Sequence, residues 1–244
     1  MFKDTETFIK DVRDTFRNEA AKEIDISRVE KFPLNYTQCF YVVDWQTSKI
    51  IFNKNVENIL GYSSEEFTLE KILTIAHPDD FHVVKRLTQA IVNHLVKYDG
   101  VEFGKTSLNI TYRFKKKDGT YIKLLRQSSF FKGTEDGDFR SNLSLLTDIS
   151  FIENSDIVHW DFIAPEIEQE SLKKKVYEEF SNLFSNREKN VIDLLHKNFT
   201  SNEIAEKLYI SPHTVITHRK NILRKAQCTN TEDLISFCHK VGVL

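Results

Sequence analysis

The last 60 residues carry a series of helix-start signals that leaves little freedom in how this part of the chain folds. Three stretches follow the capping-box pattern, in which a Ser or Thr is followed three residues later by Glu. A fourth start is marked by Ser211 and Pro212, a cap followed by proline at the first helical position. Each signal precedes apolar residues at helical spacing, which predicts four helices over about 186–197, 201–208, 212–226 and 230–241. The capping boxes are Ser185 to Glu188, Thr200 to Glu203 and Thr229 to Glu232.

The third of these helices has one apolar face and one cationic face. Three residues, 209–211, join it to the second helix, which is the length of a helix-turn-helix turn. Val215, Ile222 and Ala226 repeat at helical spacing and are expected to face inward. The segment 211–227 holds four Lys or Arg and no Asp or Glu, so its other face can approach phosphates without repulsion. A helix fits the major groove, where Lys, Asn and Thr side chains can contact base edges. The residues expected on that face are His213, Ile216, Thr217, Lys220, Asn221 and Arg224.

The same segment contains a longer motif. Its residues are Ser185, Arg187, Glu188, Val191 and Ile192, then Asn202, Glu203, Ile204, Ala205 and Leu208, then Ile210, Ser211, Thr214, Val215 and His218, and finally Asn221, Ile222 and Lys225. They resemble the LuxR-type (FixJ-like) helix-turn-helix domain over about 184–244. The resemblance implies base contacts near Ile216, Thr217 and Lys220, phosphate contacts from Thr214, His218 and Arg224, and dimerisation through the fourth helix. With Arg219 and Asn221 added, the predicted DNA-binding residues are Thr214, Ile216, Thr217, His218, Arg219, Lys220, Asn221 and Arg224.

One stretch departs from that family. It usually has Leu-Gly-Val after the third helix, whereas this chain has Ala226, Gln227 and Cys228. We therefore expect this helix to end without a left-handed glycine.

The middle of the chain predicts an antiparallel sheet. Six of the seven glycines lie between 61 and 137, so turns crowd this region. Runs of β-branched and aromatic residues predict five strands, and Asp118 with Gly119 suits a tight hairpin between the third and the fourth. Helices between the second and third strands would cover one face of the sheet. The predicted strands are 39–43, 49–52, 108–115, 121–131 and 140–149, and the predicted helices are 56–60, 64–67 and 79–97.

Three segments of this region follow one another in a recognisable order: NILGYSSEEF at 58–67, HPDD at 77–80 and YRFKKKDGT at 112–120. With Thr147, Asp148 and Ile149 ending the last strand, they resemble a PAS domain over about 32–152. The resemblance implies a five-stranded sheet whose inner face and covering helices enclose a small-molecule cavity or serve for dimerisation. The predicted fold class is α+β, with a PAS-like antiparallel sheet followed by an all-α, four-helix LuxR-type domain.

Four regions follow from these predictions. Residues 1–31 form an amphipathic helix, from Thr5 to about Glu23, and a lead-in; residues 32–152 form the PAS-like domain. Residues 153–183 form a connector with a helix, and residues 184–244 form the helix-turn-helix domain. From Phe180 onward nine Lys and Arg face six Asp and Glu, so this end is cationic while the rest of the chain is acidic. The apolar stripe of the first helix has to cover the middle domain or the same helix of a second chain.

The sequence contains no motif for catalysis, metal binding or membrane insertion. There is no nucleophile elbow, P-loop, HExxH or dinucleotide glycine pattern, so we expect no enzyme. Cys39, Cys228 and Cys238 lack the spacing of a metal site and are expected to be reduced thiols. We also expect a cytoplasmic protein with no membrane contact, because no apolar run approaches the roughly 18 residues of a membrane span and the start lacks an export signal.

The cofactor of the PAS-like domain, if it has one, stays unknown from the sequence. A haem would need an axial ligand such as His82 or His94, but isolated His residues on a helix are more often surface or packing residues. A flavin adduct would need a reactive Cys among the short helices, and Cys39 lies on the first predicted strand. A cavity for a small molecule and a filled apolar core both agree with the many Phe residues.

The leading hypothesis is a one-component transcription regulator that binds duplex DNA as a homodimer, with the PAS-like domain sensing a small molecule or a partner. RNA polymerase is a further candidate partner. Two alternatives stay open: an interaction protein whose last domain resembles sigma-factor region four and docks on polymerase, and a haem-based gas sensor. An apolar stripe on the fourth helix, suited to self-association, favours the first hypothesis; it consists of Leu234, Ile235, Phe237 and Cys238.

Overall fold

The computed structural model describes residues 7, 9–10, 24–95, 105–133, 139–152, 155, 157–164, 168–226, 228–241 and 243–244. The chain divides into two units, Met1–Gln169 and Glu170–Leu244. The helix predicted from Thr5 to about Glu23 lies outside the described residues, apart from three helical positions at Thr7, Ile9 and Lys10. Within the described ranges, no helix has the length and apolar character needed to cross a bilayer.

An antiparallel sheet of six strands is the centre of the N-terminal unit. The elements of this unit are α1 (Ser27–Glu30), β1 (Gln38–Asp44), β2 (Lys49–Lys54), α2 (Val56–Leu60), α3 (Leu69–Ile75), α4 (Pro78–Leu95), β3 (Ser107–Lys115), β4 (Tyr121–Gly133), β5 (Phe139–Asp148) and β6 (Trp160–Ile163). The strands lie in the order β2-β1-β5-β4-β3-β6, and helices α2, α3 and α4 come between the second and third strands of the chain, where helices were predicted.

The prediction of five strands is wrong by one, because part of the predicted connector joins the sheet. Strand β6 pairs antiparallel with β3, with Ile163 opposite Ser107 and Trp160 opposite Ile110. Without it, β3 would be an edge strand with a row of unpaired backbone groups. Phe162, in the middle of β6, is buried.

The helix predicted at 64–67 is also wrong. Residues 64–66 form a turn, in which the Ser63 backbone N–H donates to the Glu66 carboxylate at 2.8 Å. The helix begins later, at Leu69, where the Thr68 hydroxyl accepts a hydrogen bond from the backbone N–H of Lys71 at 3.2 Å. The chain thus closes one local turn before the Thr68 cap starts α3.

Both faces of strand β1 are buried, and the prediction of helices on one face only needs correcting. Phe40 and Val42 point to one face, where they form a cluster with Val29 of α1. Tyr41 and Val43 point to the other face, where they line a cavity beneath the helices. The residues around the short helix α1 therefore cover the face of the sheet opposite to α3 and α4.

The three segments that resemble a PAS domain meet in space. Asp80 of the second segment is fully buried and accepts three hydrogen bonds from Arg113 of the third, at 2.7–2.9 Å. Gly61 of the first segment has φ of +79°, which other residues rarely adopt, and a Cβ there would lie only 3.2 Å from the Cβ of Lys117. Both the backbone conformation and the close contact therefore favour glycine at this position. Lys117 also donates to both carboxylate oxygens of Glu66 at 2.9 Å, and these bonds help to lower the Glu66 pKa to about 2.

The C-terminal unit is helical, and its first two predicted capping boxes are confirmed. The hydroxyls of Ser185 and Thr200 each accept a hydrogen bond from the backbone N–H of the Glu three residues later. The carboxylate of that Glu in turn accepts a hydrogen bond from the backbone N–H of the cap residue. The third is wrong: Asn230, not Thr229, caps the last helix, by accepting from the backbone N–H of Asp233 at 2.9 Å. The helices are α5 (Gln169–Ser181), α6 (Asn186–His196), α7 (Ser201–Leu208), α8 (Pro212–Ala226) and α9 (Thr231–Lys240).

Candidate nucleic-acid interface

Helix α8 is fixed in the C-terminal unit by its start and by its apolar face. The Ser211 hydroxyl accepts from the backbone N–H of Thr214 at 3.1 Å, as the predicted cap requires. Val215, Ile222 and Ala226 are completely buried, which confirms the predicted inward face. Helix α8 packs against α6, α7 and α9, so its remaining faces are set by its neighbours.

An ion pair fixes the C-terminal end of α8 to α6. The Lys225 ammonium donates to the Glu188 carboxylate at 2.7 Å, and the same carboxylate accepts from the backbone N–H of Ser185 at 2.7 Å. Burial alone would raise the pKa of Glu188, but the hydrogen bonds from Lys225 and Ser185 outweigh it and lower the pKa. Lys225 therefore contributes less free positive charge than the sequence suggests.

Two arginines hold the helix-turn-helix together from inside the unit. Arg187 of α6 donates to the backbone carbonyl of Leu208, where α7 ends and the turn begins. Arg219 of α8 donates to the hydroxyl of Ser201 at 2.8 Å and to that of Thr231 at 3.0 Å. These hydroxyls belong to the first residues of α7 and α9. Arg219, predicted as a DNA contact, thus joins the starts of two neighbouring helices to α8.

The opposite face of α8 is open. Ile216 is 44% exposed, and His213, Thr217, Lys220 and Arg224 are also exposed. Lys220 makes no ion pair with any residue that the structure describes. No Asp or Glu occurs anywhere in α8, so this face presents positive charge and a small apolar patch side by side.

Two polar side chains of this face are already engaged in part. The Thr217 hydroxyl donates to the backbone carbonyl of His213 at 3.1 Å, which leaves its oxygen as an acceptor. The Asn221 amide oxygen accepts from Arg224 at 3.1 Å, which leaves the Asn221 amino group as a donor. This bond orients the Arg224 guanidinium next to Asn221. Each of the two side chains therefore keeps one hydrogen-bonding group that can contact DNA: the Thr217 hydroxyl oxygen as an acceptor and the Asn221 amino group as a donor.

The other two predicted contacts are less accessible. Thr214 and His218 are half-buried, and the Thr214 hydroxyl lies 2.8 Å from that of Ser211 at the start of the helix. The structure therefore exposes four of the eight predicted residues, Ile216, Thr217, Lys220 and Arg224, whereas Thr214, His218, Arg219 and Asn221 are half-buried. The residue Gln227, at the departure from the family pattern, lies outside the described residues.

The apolar stripe predicted for self-association on the last helix packs inside the unit instead. Leu234, Phe237 and Cys238 are at most 4% exposed, and the Phe237 ring lies 6.5 Å from that of Phe180 in an edge-to-face contact. Burial raises the pKa of the Cys238 thiol to about 12, which keeps it protonated. The stripe is core and no longer favours the regulator over the sigma-like alternative.

A second candidate site lies in the N-terminal unit, where a cavity of about 100 Å³ separates the sheet from helices α3 and α4. Its helical wall is mostly apolar, with Ile72, Phe81 and Val84 among its residues, and α4 also contributes Lys85 and Thr88. Its sheet wall carries polar groups in a chain of hydrogen bonds: Trp45 donates to Asn142 at 2.6 Å and Asn142 donates to Ser144 at 2.9 Å. A water needs only about 10–15 Å³ of such space, so a small molecule fits. The sequence did not indicate this polar chain, because it depends on which residues of β5 lie beside the turn that follows β1.

The cavity does not carry an obvious cofactor ligand. None of the described residues that line it is His or Cys. The side chains of His82 and His94, considered for haem, are outside the described residues. Cys39 is completely buried, which raises its pKa to about 12, and it does not line the cavity. No group of three or more His, Cys, Asp or Glu side chains in the described ranges is arranged to hold a metal ion.

Comparison with solved structures finds weak likenesses. The complex of the phage VqmA protein with DPO is 16% identical over 89% of this chain and 87% of that one, with a TM-score of 0.31. The Vibrio cholera VqmA–ligand–DNA complex is 12% identical over 91% of this chain and 90% of that one, with a TM-score of 0.30. A PAS domain from Colwellia psychrerythraea is 21% identical over 52% of this chain and 99% of that one, with a TM-score of 0.39. These scores are too low to establish a common fold.

Comparison with protein families is more informative. Residues 182–238 match the family described as bacterial regulatory proteins, luxR family. Residues 49–140 match the PAS fold. The two matches fall in the two units of the structure, on the capped helices and on the sheet with its helices. The chain therefore joins a PAS fold to the helix-turn-helix domain of the luxR family of bacterial regulatory proteins.

Proposed function

We propose that this chain is a one-component transcription regulator, in which the outward face of α8 reads duplex DNA and the PAS unit senses a small molecule. The observation that carries the proposal is the open side of α8, where Lys220 and Arg224 lie beside Ile216 and Thr217 with no carboxylate on the helix. A helix face that combines positive charge, hydrogen-bond donors and methyl groups can contact phosphates and base edges in the major groove. A fully solvated helix would have no need to exclude acidic residues. No catalytic step enters the proposal.

The residues of the interface divide by what they can reach. Ile216, Thr217 and Lys220 are exposed and, with the half-buried Asn221 beside them, are proposed to contact base edges. Lys can donate to guanine acceptors, and a Thr or Ile methyl can touch the thymine methyl. The half-buried Thr214, His218 and Arg219, and the exposed Arg224 near the end of the helix, are proposed to contact phosphates, which adds affinity without sequence preference.

We propose that the active form is a homodimer in the bacterial cytoplasm. A single recognition helix reads only a few base pairs, and two copies one helical turn apart double the site. Leu234, Phe237 and Cys238 of the fourth helix are buried in their own unit, so a contact between two chains through this helix would use its other faces.

The experiment that tests this function is selection of bound duplexes from a random pool by the full chain. We expect enrichment of one motif with two half-sites about 10 base pairs apart, and an affinity that falls steeply as salt rises. The release of counterions from the phosphates causes that fall. A pool that shows no enrichment contradicts the proposal; binding that appears only when RNA polymerase is added supports the sigma-like alternative instead.

A further inference from the structure

The cavity of the N-terminal unit has an unusual balance of charge. Two cations line it, Arg126 on β4 and Lys85 on α4, and no Asp or Glu is among its described lining residues. Apart from Lys85 and Thr88, the helical wall is apolar, and so is the buried Phe162 of β6. A cavity of this kind accepts a molecule with an apolar body and one negatively charged end.

Arg126 is a cation in the wall of this cavity with no counter-charge among the described residues. Its Nη1 donates to the hydroxyl of Tyr112 at 3.2 Å, its guanidinium lies 5.4 Å from the centre of the Tyr112 ring, and Tyr41 is a further hydrogen-bond partner. Its Nε is buried and has no hydrogen-bond partner among the described residues, and the side chain makes no ion pair there. A largely desolvated cation without a counter-charge is costly, and an anion bound beside its guanidinium reduces that cost.

The hydroxyls of Ser128 and Ser144 supply a second hydrogen-bond donor in the sheet wall of the cavity. Ser128 lies two residues beyond Arg126 on β4, so both side chains point to the same face of the strand. The hydroxyls of Ser128 and Ser144 lie 2.8 Å apart, so one of them donates to the other. The hydroxyl of Ser144 also accepts from Asn142 at 2.9 Å. Whichever serine donates within the pair, one hydrogen of the two is left without an acceptor among the described residues.

A third incomplete group lines the cavity near the start of β3. Thr106 is only 3% exposed, and its hydroxyl has no hydrogen-bond partner among the described residues. Native structures leave few buried polar groups unpaired, so two unpaired atoms and one hydroxyl hydrogen without an acceptor, all in residues that line one cavity, point to a missing partner.

We propose that the cavity binds a small aliphatic monocarboxylate, whose carboxylate accepts hydrogen bonds from the guanidinium of Arg126 and from the Ser128–Ser144 pair. This inference rests on the proposed sensing function and names the class of molecule sensed. A carboxylate supplies two oxygens for two donors and the negative charge that Arg126 lacks. The apolar body lies against Ile72, Val84 and Phe162. A cavity of about 150 Å³ holds benzene, so a ligand no larger than benzene suits this cavity of about 100 Å³.

The test compares acids with their neutral amides on the full chain. Propionate, butyrate and isobutyrate are each added during thermal unfolding, beside propionamide, butyramide and isobutyramide. We expect the best acid to raise the Tm with a Kd of about 1 mM or tighter, and to bind about tenfold or more tightly than its amide. The inference is overturned if each amide binds as well as its acid, or if none of the three acids shifts the Tm at about 10 mM.

Two variants show whether the named donors are responsible. Arg126→Gln removes the charge, and the affinity for the acid should fall at least about tenfold while the amide is little affected. Ser144→Ala removes one hydroxyl and should weaken the acid by a smaller factor, which keeps the test valid if Arg126→Gln does not fold. Unchanged affinity in Ser144→Ala and in a folded Arg126→Gln contradicts the assignment. DNA selection by the unaltered chain separates the two proposals, because a chain that selects a DNA motif but binds none of the acids rejects only this one.

Discussion

Replacing Asp80 by alanine should lower the free energy of unfolding of the N-terminal unit by about 3–5 kcal/mol, the usual effect of removing one partner of a buried ion pair. Asp80 is fully buried and accepts from the backbone N–H, the Nε and the Nη2 of Arg113. Its removal leaves the largely buried Arg113 cation without its main counter-charge. The pair also holds the start of α4 against β3, so the helical wall of the cavity depends on it.

The measurement is denaturant unfolding of the full chain followed by tryptophan fluorescence. Both tryptophans, Trp45 and Trp160, belong to the N-terminal unit, so the signal reports that unit alone. Asp79→Ala is the matched control: Asp79 is the neighbouring residue, its side chain is 55% exposed, and it lies 3.9 Å from Arg113. We expect the control to change stability by at most about 0.5 kcal/mol. Similar losses in the two variants would show that the Asp80–Arg113 bonds are not what stabilises the unit.

Replacing Lys220 by alanine should weaken binding to the selected duplex by about 5- to 150-fold, which corresponds to about 1–3 kcal/mol of base discrimination. On random duplexes the same variant should lose only the contribution of one charge. The reason is the position of Lys220 on the open face of α8, where no described residue neutralises it. The measurement is titration of labelled selected and random duplexes at two salt concentrations.

Arg224→Ala is the comparison that distinguishes a sequence-specific base contact from a nonspecific contact with a phosphate. Arg224 lies one turn further along the helix and is held by the Asn221 amide, so we expect it to contact a phosphate. Its removal should weaken selected and random duplexes by the same factor and reduce the salt dependence by about one phosphate contact. Equal proportional losses on both duplexes for Lys220→Ala would reject its role in sequence reading.

The C-terminal unit could be predicted closely because its signals are local. A cap, a proline and an apolar repeat lie within a few residues of each helix that they define, and α8 runs from Pro212 to Ala226 as predicted. The error at the last helix shows the limit of such signals. Thr229 and Asn230 are both good caps, and the choice of Asn230 depends on its two hydrogen bonds with Asp233, one with the backbone N–H and one with the carboxylate, that only the folded chain displays.

The N-terminal unit could be predicted in outline but not at its edge. Strand β6 has four residues, too few for a periodic pattern, and it exists because β3 offers it a partner. The cover of the second face of the sheet by Val29 could not be foreseen for a similar reason, since a four-residue helix has no repeat to detect.

The details of both candidate sites depend on register rather than on spacing. Ser128 faces Ser144 because β4 and β5 pair at that position, and the unpaired Nε of Arg126 follows from what β3 and β5 place beside it. In the same way, nothing in the local sequence indicates that Arg219 binds Ser201 and Thr231 rather than solvent. Sequence reasoning found the face of α8 but not the bonds that hold it in place.

The central claim is that the open face of α8 enters a groove of duplex DNA, and photocrosslinking from that face tests it most directly. A benzoylphenylalanine at Ile216, which is 44% exposed, is compared with the same residue at Lys197, which lies just after α6 and away from α8 in sequence. Each variant is first shown to retain binding to the selected duplex. We expect irradiation to join position 216 to a base inside the selected motif and position 197 to none. Crosslinking from position 197 but not from 216, in variants that both bind, would contradict the account.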